Sequence, residues 1–196
     1  MSNDAPLNLV VLISGEGSNF QAIQDAIDAS KLNAHISLLI SNRADANGLN
    51  RARRAGIDCT VVKPLKGQPR SEYDQRLIEA IEPHAPDLIV LAGFMRILSP
   101  LFIQHFSGKV INIHPSLLPA YKGLDTHQRV LDAGEKHHGA SVHYVTEELD
   151  AGERIIQSRI TIDTNDTAST LQQRIHQEEH VIYPRAIQLI IDQKRA

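Results

Sequence analysis

Leu7-Asn8-Leu9-Val10-Val11-Leu12-Ile13-Ser14-Gly15-Glu16-Gly17-Ser18-Asn19 decides the fold class of this chain. Leu7 to Ile13 is an apolar run broken only by Asn8, too continuous for a strand with one wet face. It ends in Ser14-Gly15, and Asn19 to Ala29 follows with Phe20, Ile23 and Ile27 at helical spacing. A doubly buried strand feeding a helix through a glycine turn is the opening unit of a parallel α/β sheet. The pattern then repeats. His35 to Ile40 reads as a strand, about Ala46 to Ala55 as a helix stopped by Gly56, and Thr60 to Val62 as a third strand. Tyr73, Leu77 and Ile81 stripe a helix that ends near Pro83.

Asp87 to Ala92 and Val110 to Ile113 supply strands four and five. Between them, Ser99-Pro100 forms an N-cap and first helical position for a short helix through Phe106. After Pro119 the rhythm changes. Thr126 to Ala133 reads as a helix, and Ser141 to Val145 with Arg154 to Ile162 as two strands joined through Asp150-Ala151-Gly152. This pair is expected as an antiparallel hairpin or edge extension. A final helix begins near Thr167 and carries Leu171, Ile175, Ile182, Ala186 and Leu189, with Pro184 as a candidate kink. The expected fold is α/β: an open, mostly parallel twisted sheet, helices on both faces, and an antiparallel extension near the C-terminus. No repeat, low-complexity tract or linker divides the sequence, so residues 1–196 are expected to form a single domain.

Composition narrows the function classes. Hydrophobic residues make up 42% and charged residues 22%, ordinary for a globular protein. A net charge of -3 disfavours non-specific nucleic-acid binding but not a small anionic substrate in a local pocket. Cys59 is the single cysteine and cannot form an internal disulfide; its apolar surroundings predict a buried structural thiol. Met1 to Pro6 lacks a basic leader and Leu7 to Ile13 is too short to span a bilayer, so a cytoplasmic protein with no membrane partner is expected.

Asn112-Ile113-His114-Pro115 is the densest chemistry. Two residues apart on a strand, Asn112 and His114 point to one face, an amide donor beside an imidazole that titrates near neutrality. Pro115 ends the ordinary strand at its carboxyl end, where open parallel sheets place ligands. Asp150, before Ala151-Gly152, can be aimed inward by a tight turn; Glu147, Glu148 and Glu153 read as solvated. The Gly15–Asn19 loop is open to two readings, a phosphate cradle or a tight turn capped by Ser18 or Asn19. It is neither the dinucleotide fingerprint, since Phe20 takes the third glycine's position, nor a Walker loop, since no lysine follows. Glu16 is expected to face water. His127 and His143 can line the same cleft, whereas His137 and His138 would face different ways on a helix. Glu178 and Glu179 read as the wet face of the last helix, and Arg70 as either a surface charge or a carboxylate clamp. The ten histidines lack ligand spacing, and no metal is expected.

Ala92-Gly93-Phe94-Met95-Arg96-Ile97-Leu98, Asn112 to Pro119, Glu148-Leu149-Asp150 with Gly152, and the Gly15–Asn19 loop together resemble the phosphoribosylglycinamide formyltransferase family, folate-dependent enzymes of purine synthesis. The resemblance runs from Leu7 to the Glu179–Pro184 stretch. It implies that Asn112, His114 and Asp150 are catalytic. It implies a ribonucleotide site at Gly17, Ser18, Asn19 and Glu179. It implies a folate site at Arg70, Met95, Arg96, Ile97, Leu98, Asn112, Thr146, Glu147, Glu148, Leu149 and Asp150. The substrates implied are 10-formyltetrahydrofolate, as cosubstrate, and glycinamide ribonucleotide, and a monomer or homodimer is expected. Relatives that hydrolyse formyltetrahydrofolate or formylate methionyl-tRNA usually carry a further domain, for which this length leaves no room. Glu16 departs from the small polar residue common in the family's loop, and Asp125 from a histidine.

Overall fold

A computed structural model describes residues 5–195; the reading of the first four residues as lacking a basic leader lies outside them. Seven strands form one sheet in the order β3-β2-β1-β4-β5-β6-β7. β1 (Leu7–Ile13), β2 (Ala34–Ser41), β3 (Cys59–Val61), β4 (Leu88–Leu91) and β5 (Val110–His114) are parallel. β6 (His137–Tyr144) and β7 (Arg154–Thr161) continue the sheet antiparallel, as expected of the C-terminal extension.

Strand alternation sorts the core into two layers. Leu9, Val11, Ile13, Val90, Ile111 and Ile113 face α1 (Ser18–Asp28), α2 (Gly48–Arg54) and α6 (Ala168–Arg195), meeting Phe20, Leu49, Ile175 and Tyr183. Val10, Leu12, Ile89, Leu91 and Val110 face α3 (Arg70–Ile81) and α4 (Pro100–His105), meeting Tyr73, Leu77 and Phe102. α5 (Thr126–Asp132) packs on α6. α6 is continuous across Pro184. No described helix is long and apolar enough to cross a membrane.

Three local readings change. β6 begins at His137 rather than Ser141, so His137 and His138 lie on a strand, not a helix; Gly139 there lets the Ser158 carbonyl approach, where an added Cβ would come within 2.0 Å. Ser99 precedes α4 with Pro100 as its first residue, yet its side chain makes no capping bond; instead Ser99 N–H donates to the buried Asp74 carboxylate at 2.5 Å. Cys59 is only partly buried, because β3 is the edge strand.

The topology fixes where a ligand can sit. From β1 the chain runs outward to β2 and β3, then returns to place β4 on the other side of β1. The crevice beyond the carboxyl ends of β1 and β4 is therefore the switch point of the sheet. The loops leaving these strands are tied there: Ser14 N–H donates to the Gly93 carbonyl at 3.1 Å and Met95 N–H to Ser14 Oγ at 2.7 Å.

Candidate active site

Asn112 and His114 lie at the carboxyl end of β5, next to this crevice. Asp150, 36 residues after His114, meets it: Asp150 Oδ2 is 3.5 Å from His114 Nδ1, and both side chains are buried. The turn that carries Asp150 is compact. Asp150 has φ 49°, and an added Cβ at Gly152 would lie 1.8 Å from the Tyr144 carbonyl oxygen. Asp150 Oδ2 also accepts from Gly123 N–H at 2.9 Å, which joins the 119–125 loop to the carboxylate.

Both ring nitrogens of His114 face acceptors. Nδ1 faces Asp150, and Nε2 lies 2.9 Å from the Tyr121 carbonyl. Neither partner can donate, so the doubly protonated ring satisfies both contacts. His143 is the opposite case. Its Nδ1 donates to the Tyr144 carbonyl at 2.8 Å, and burial pushes its pKa below the ordinary histidine value, against the pull of that bond and of Asp150. The neutral ring then offers Nε2 as an acceptor, 3.4 Å from Asn112 Nδ2. The contact follows from register, since Asn112 and His143 are direct partners across β5 and β6.

The second cluster joins α1 to α6. Asn19 Nδ2 donates to Glu179 Oε2 at 2.8 Å, and both residues are buried. Burial raises the Glu179 pKa, opposed by the Asn19 bond. Gly17 has φ 73° and precedes α1. The N–H groups of Gly17, Ser18 and Asn19 find no acceptor among the described residues. Free amides at a helix start, in a switch-point crevice, suit an anion.

The formyl transferase family model matches residues 7–187. The sequence is 48% identical to phosphoribosylglycinamide formyltransferase of Escherichia coli K12 over 186 residues, 95% of this chain and 88% of that protein. The phosphoribosylglycinamide formyltransferase structure from Coxiella burnetii matches with a TM-score of 0.88 at 51% identity, covering 93% of this chain and 86% of that one. Glycinamide ribonucleotide transformylase 1 from Symbiobacterium toebii matches at 0.93 and 40%, covering 96% and 89%. The chain belongs to the formyl transferase family. It is a formyl-transferring enzyme of purine biosynthesis.

In this formyltransferase the expected folate-side residues divide in two. A cleft of about 520 Å³ is lined by Leu118, Pro119, Lys122, Glu148, Asp150 and Arg154, among others. The 146–150 loop at its edge is held by Thr146 Oγ1 on the Glu148 carbonyl (3.1 Å), Gln104 on Glu147 (2.9 Å) and Lys122 on Glu148 (2.8 Å). Leu149, Met95 and Ile97 expose apolar surface, whereas Leu98 is buried. Arg96 stacks over Tyr73, 4.2 Å from its ring centre, and its buried Nε has no partner among the described residues. Arg70 sits exposed at the start of α3 and makes no ion pair among the described residues.

Glu179 is buried, not on a wet face. Glu178 is half-buried and hydrogen-bonds Ser158. Glu16 is exposed, as expected. His127 does not join the trio: its Nδ1 lies 3.0 Å from His138 Nε2, and burial lowers both pKa values, His138 to about 4. Sequence reading missed the Tyr121 carbonyl and the Gly123 N–H. The only sequence sign of them was Gly123, whose φ of 81° marks the turn that points its amide inward.

Proposed function

We propose that this formyltransferase moves the formyl group of 10-formyltetrahydrofolate to the amine of glycinamide ribonucleotide by direct attack. The convergence of Asn112, His114 and Asp150 at the end of β5 carries the reading. The amine nitrogen bonds to the formyl carbon, and the carbonyl electrons collect on oxygen. Asn112 Nδ2, its orientation supported by His143, donates to that oxygen; one such donor is worth roughly 3 kcal/mol of barrier. His114 supplies the proton on Nε2, exchanging its Tyr121 bond for the oxyanion. When the tetrahedral centre collapses, the re-forming carbonyl returns its proton to His114 Nε2, the carbon–nitrogen bond to folate breaks, and the amine's proton passes to the leaving folate nitrogen. Asp150 keeps the imidazole oriented and charged. No covalent enzyme intermediate is needed.

The ribonucleotide's phosphate takes the N–H groups of Gly17, Ser18 and Asn19, and Glu179 accepts from the ribose. The folate lies along Met95–Leu98 and the 146–150 loop, with Arg70 as a clamp for its carboxylates.

The test is formyl release from 10-formyltetrahydrofolate with and without glycinamide ribonucleotide. Release that depends on the ribonucleotide is expected; release without it would identify a hydrolase instead. His114→Ala and Asp150→Asn are each expected to lower kcat by about 100-fold or more at unchanged thermal midpoint. Turnover near that of the wild type in both variants would remove the trio from the mechanism.

A further inference from the structure

An acid in a loop that binds phosphate is a paradox in charge, and the loop's outer side resolves it. The Glu16 carboxylate does not face α1. Its Oε1 accepts from Asn47 Nδ2 at 2.9 Å and from Arg51 Nη2, both on or beside α2. The same guanidinium uses Nε to hold the Glu16 backbone carbonyl at 2.9 Å. One residue earlier, the Gly15 carbonyl accepts from Gly48 N–H at 3.1 Å. Two consecutive loop carbonyls are therefore turned toward α2.

The peptide plane carries the consequence. In a trans peptide, C=O and the following N–H point in opposite directions. The 15–16 and 16–17 peptides are trans, since the one cis bond among the described residues is Leu118–Pro119. Fixing the Gly15 and Glu16 carbonyls on α2 turns the N–H groups of Glu16 and Gly17 away from it. Neither N–H has an acceptor among the described residues. With Gly17 in the left-handed region, such consecutive amides form a concave anion nest. The loop lies against α2 so closely that a Cβ on Gly17 would come within 2.7 Å of the Gly48 Cα.

We propose that Arg51 is a positioning residue of this enzyme: anchored by the Glu16 carboxylate, it holds the Glu16–Gly17 peptide so that its amide faces the phosphate. The proposal rests on the ribonucleotide reading of the loop given above. Arg51 touches no phosphate oxygen in this role. Glu16 neutralises Arg51 and keeps its own charge out of the nest.

The test is calorimetric titration with glycinamide ribonucleotide, together with steady-state kinetics, on Arg51→Met, Arg51→Lys, Glu16→Gln/Arg51→Met and Asn19→Ala. Arg51→Met is expected to weaken ribonucleotide binding and raise its KM roughly tenfold, with kcat and the folate KM nearly unchanged. Arg51→Lys keeps the charge but not the Nε bond, and is expected to recover less than half of the loss. The double variant is expected to bind better than Arg51→Met, because the single change leaves Glu16 uncompensated beside the nest. Ribonucleotide affinity like that of the wild type in Arg51→Met and Arg51→Lys would overturn the proposal. So would a loss shared equally by kcat and the folate KM, the mark of general loosening. Asn19→Ala separates the two readings. It removes the side-chain bond that holds Glu179, the proposed ribose acceptor, so if it too leaves ribonucleotide binding intact the ribonucleotide reading of this site has failed; if it weakens binding while both Arg51 variants do not, the positioning role alone has failed.

Discussion

His143 shows how much of the site's behaviour rests on one ring nitrogen. The Tyr144 carbonyl takes Nδ1–H, so a neutral ring can only accept at Nε2, and the nearest donor is the Asn112 amide. A charged ring would have no lone pair to offer. Burial, by lowering the His143 pKa, is what keeps the acceptor available. His143→Ala is accordingly expected to lower kcat about tenfold while leaving both KM values close to their starting points, since one neutral hydrogen bond of orientation is lost and no binding contact. Steady-state kinetics decide it, and an unchanged kcat would show that Asn112 needs no such support. At this scale Asn112 and His114 were legible because a strand's period of two puts them on one face without further information. The Asn112–His143 contact was not, because it depends on the β5–β6 register, which is not encoded locally for two residues 31 positions apart.

Among the elements, the β6–β7 connection does the most for the site with the fewest residues. Gly152 allows the Tyr144 carbonyl into the space a Cβ would fill, and the turn it closes sets Asp150 at positive φ with its carboxylate inward. Gly152→Ala is expected to cost about 1–3 kcal/mol of stability from overpacking, and to lower kcat as Asp150 shifts from His114. Urea unfolding and kinetics on the same protein check both; a variant with full kcat would mean the carboxylate is held by Gly123 alone. The parallel half of the sheet was readable because strands buried on both faces are unbroken apolar runs, such as Leu88–Leu91. The start of β6 was not. His137-His138-Gly139 carries no apolar signal, and His138 is buried because His127 and the sheet enclose it. Glu179 misled for the same reason. Its partner Asn19 lies 160 residues away, and helical spacing alone marks a glutamate as solvated.

At the scale of the whole molecule, these buried histidines make stability depend on pH with a definite sign. Burial lowers the pKa of His127, His138, His143 and His180, His138 to about 4 from an ordinary 6.5. Between those values the unfolded chain binds more protons than the native one, so stability falls as pH falls. The contribution is complete above pH 6.5 and is lost on the way down toward 4. For His138 alone the loss is on the order of 3 kcal/mol. Glu179 acts the other way. Its raised pKa favours the native state at low pH, and this is lost as pH rises from 4.5 through the raised value. One glutamate opposing four histidines leaves a net loss on acidification, begun before carboxylates titrate. Unfolding by urea at about pH 7, 5.5 and 4.5 is expected to show stability falling across the series, with a shallower fall in His138→Gln, which has no proton to take up. The slope, and not the absolute stability, is the readout, because His138→Gln also disturbs the bond to His127. Equal slopes in the two proteins would mean that His138 takes up its proton as readily in the native state as in the unfolded chain, with its Nε2–H donating to Nδ1 of a neutral His127 across the 3.0 Å contact.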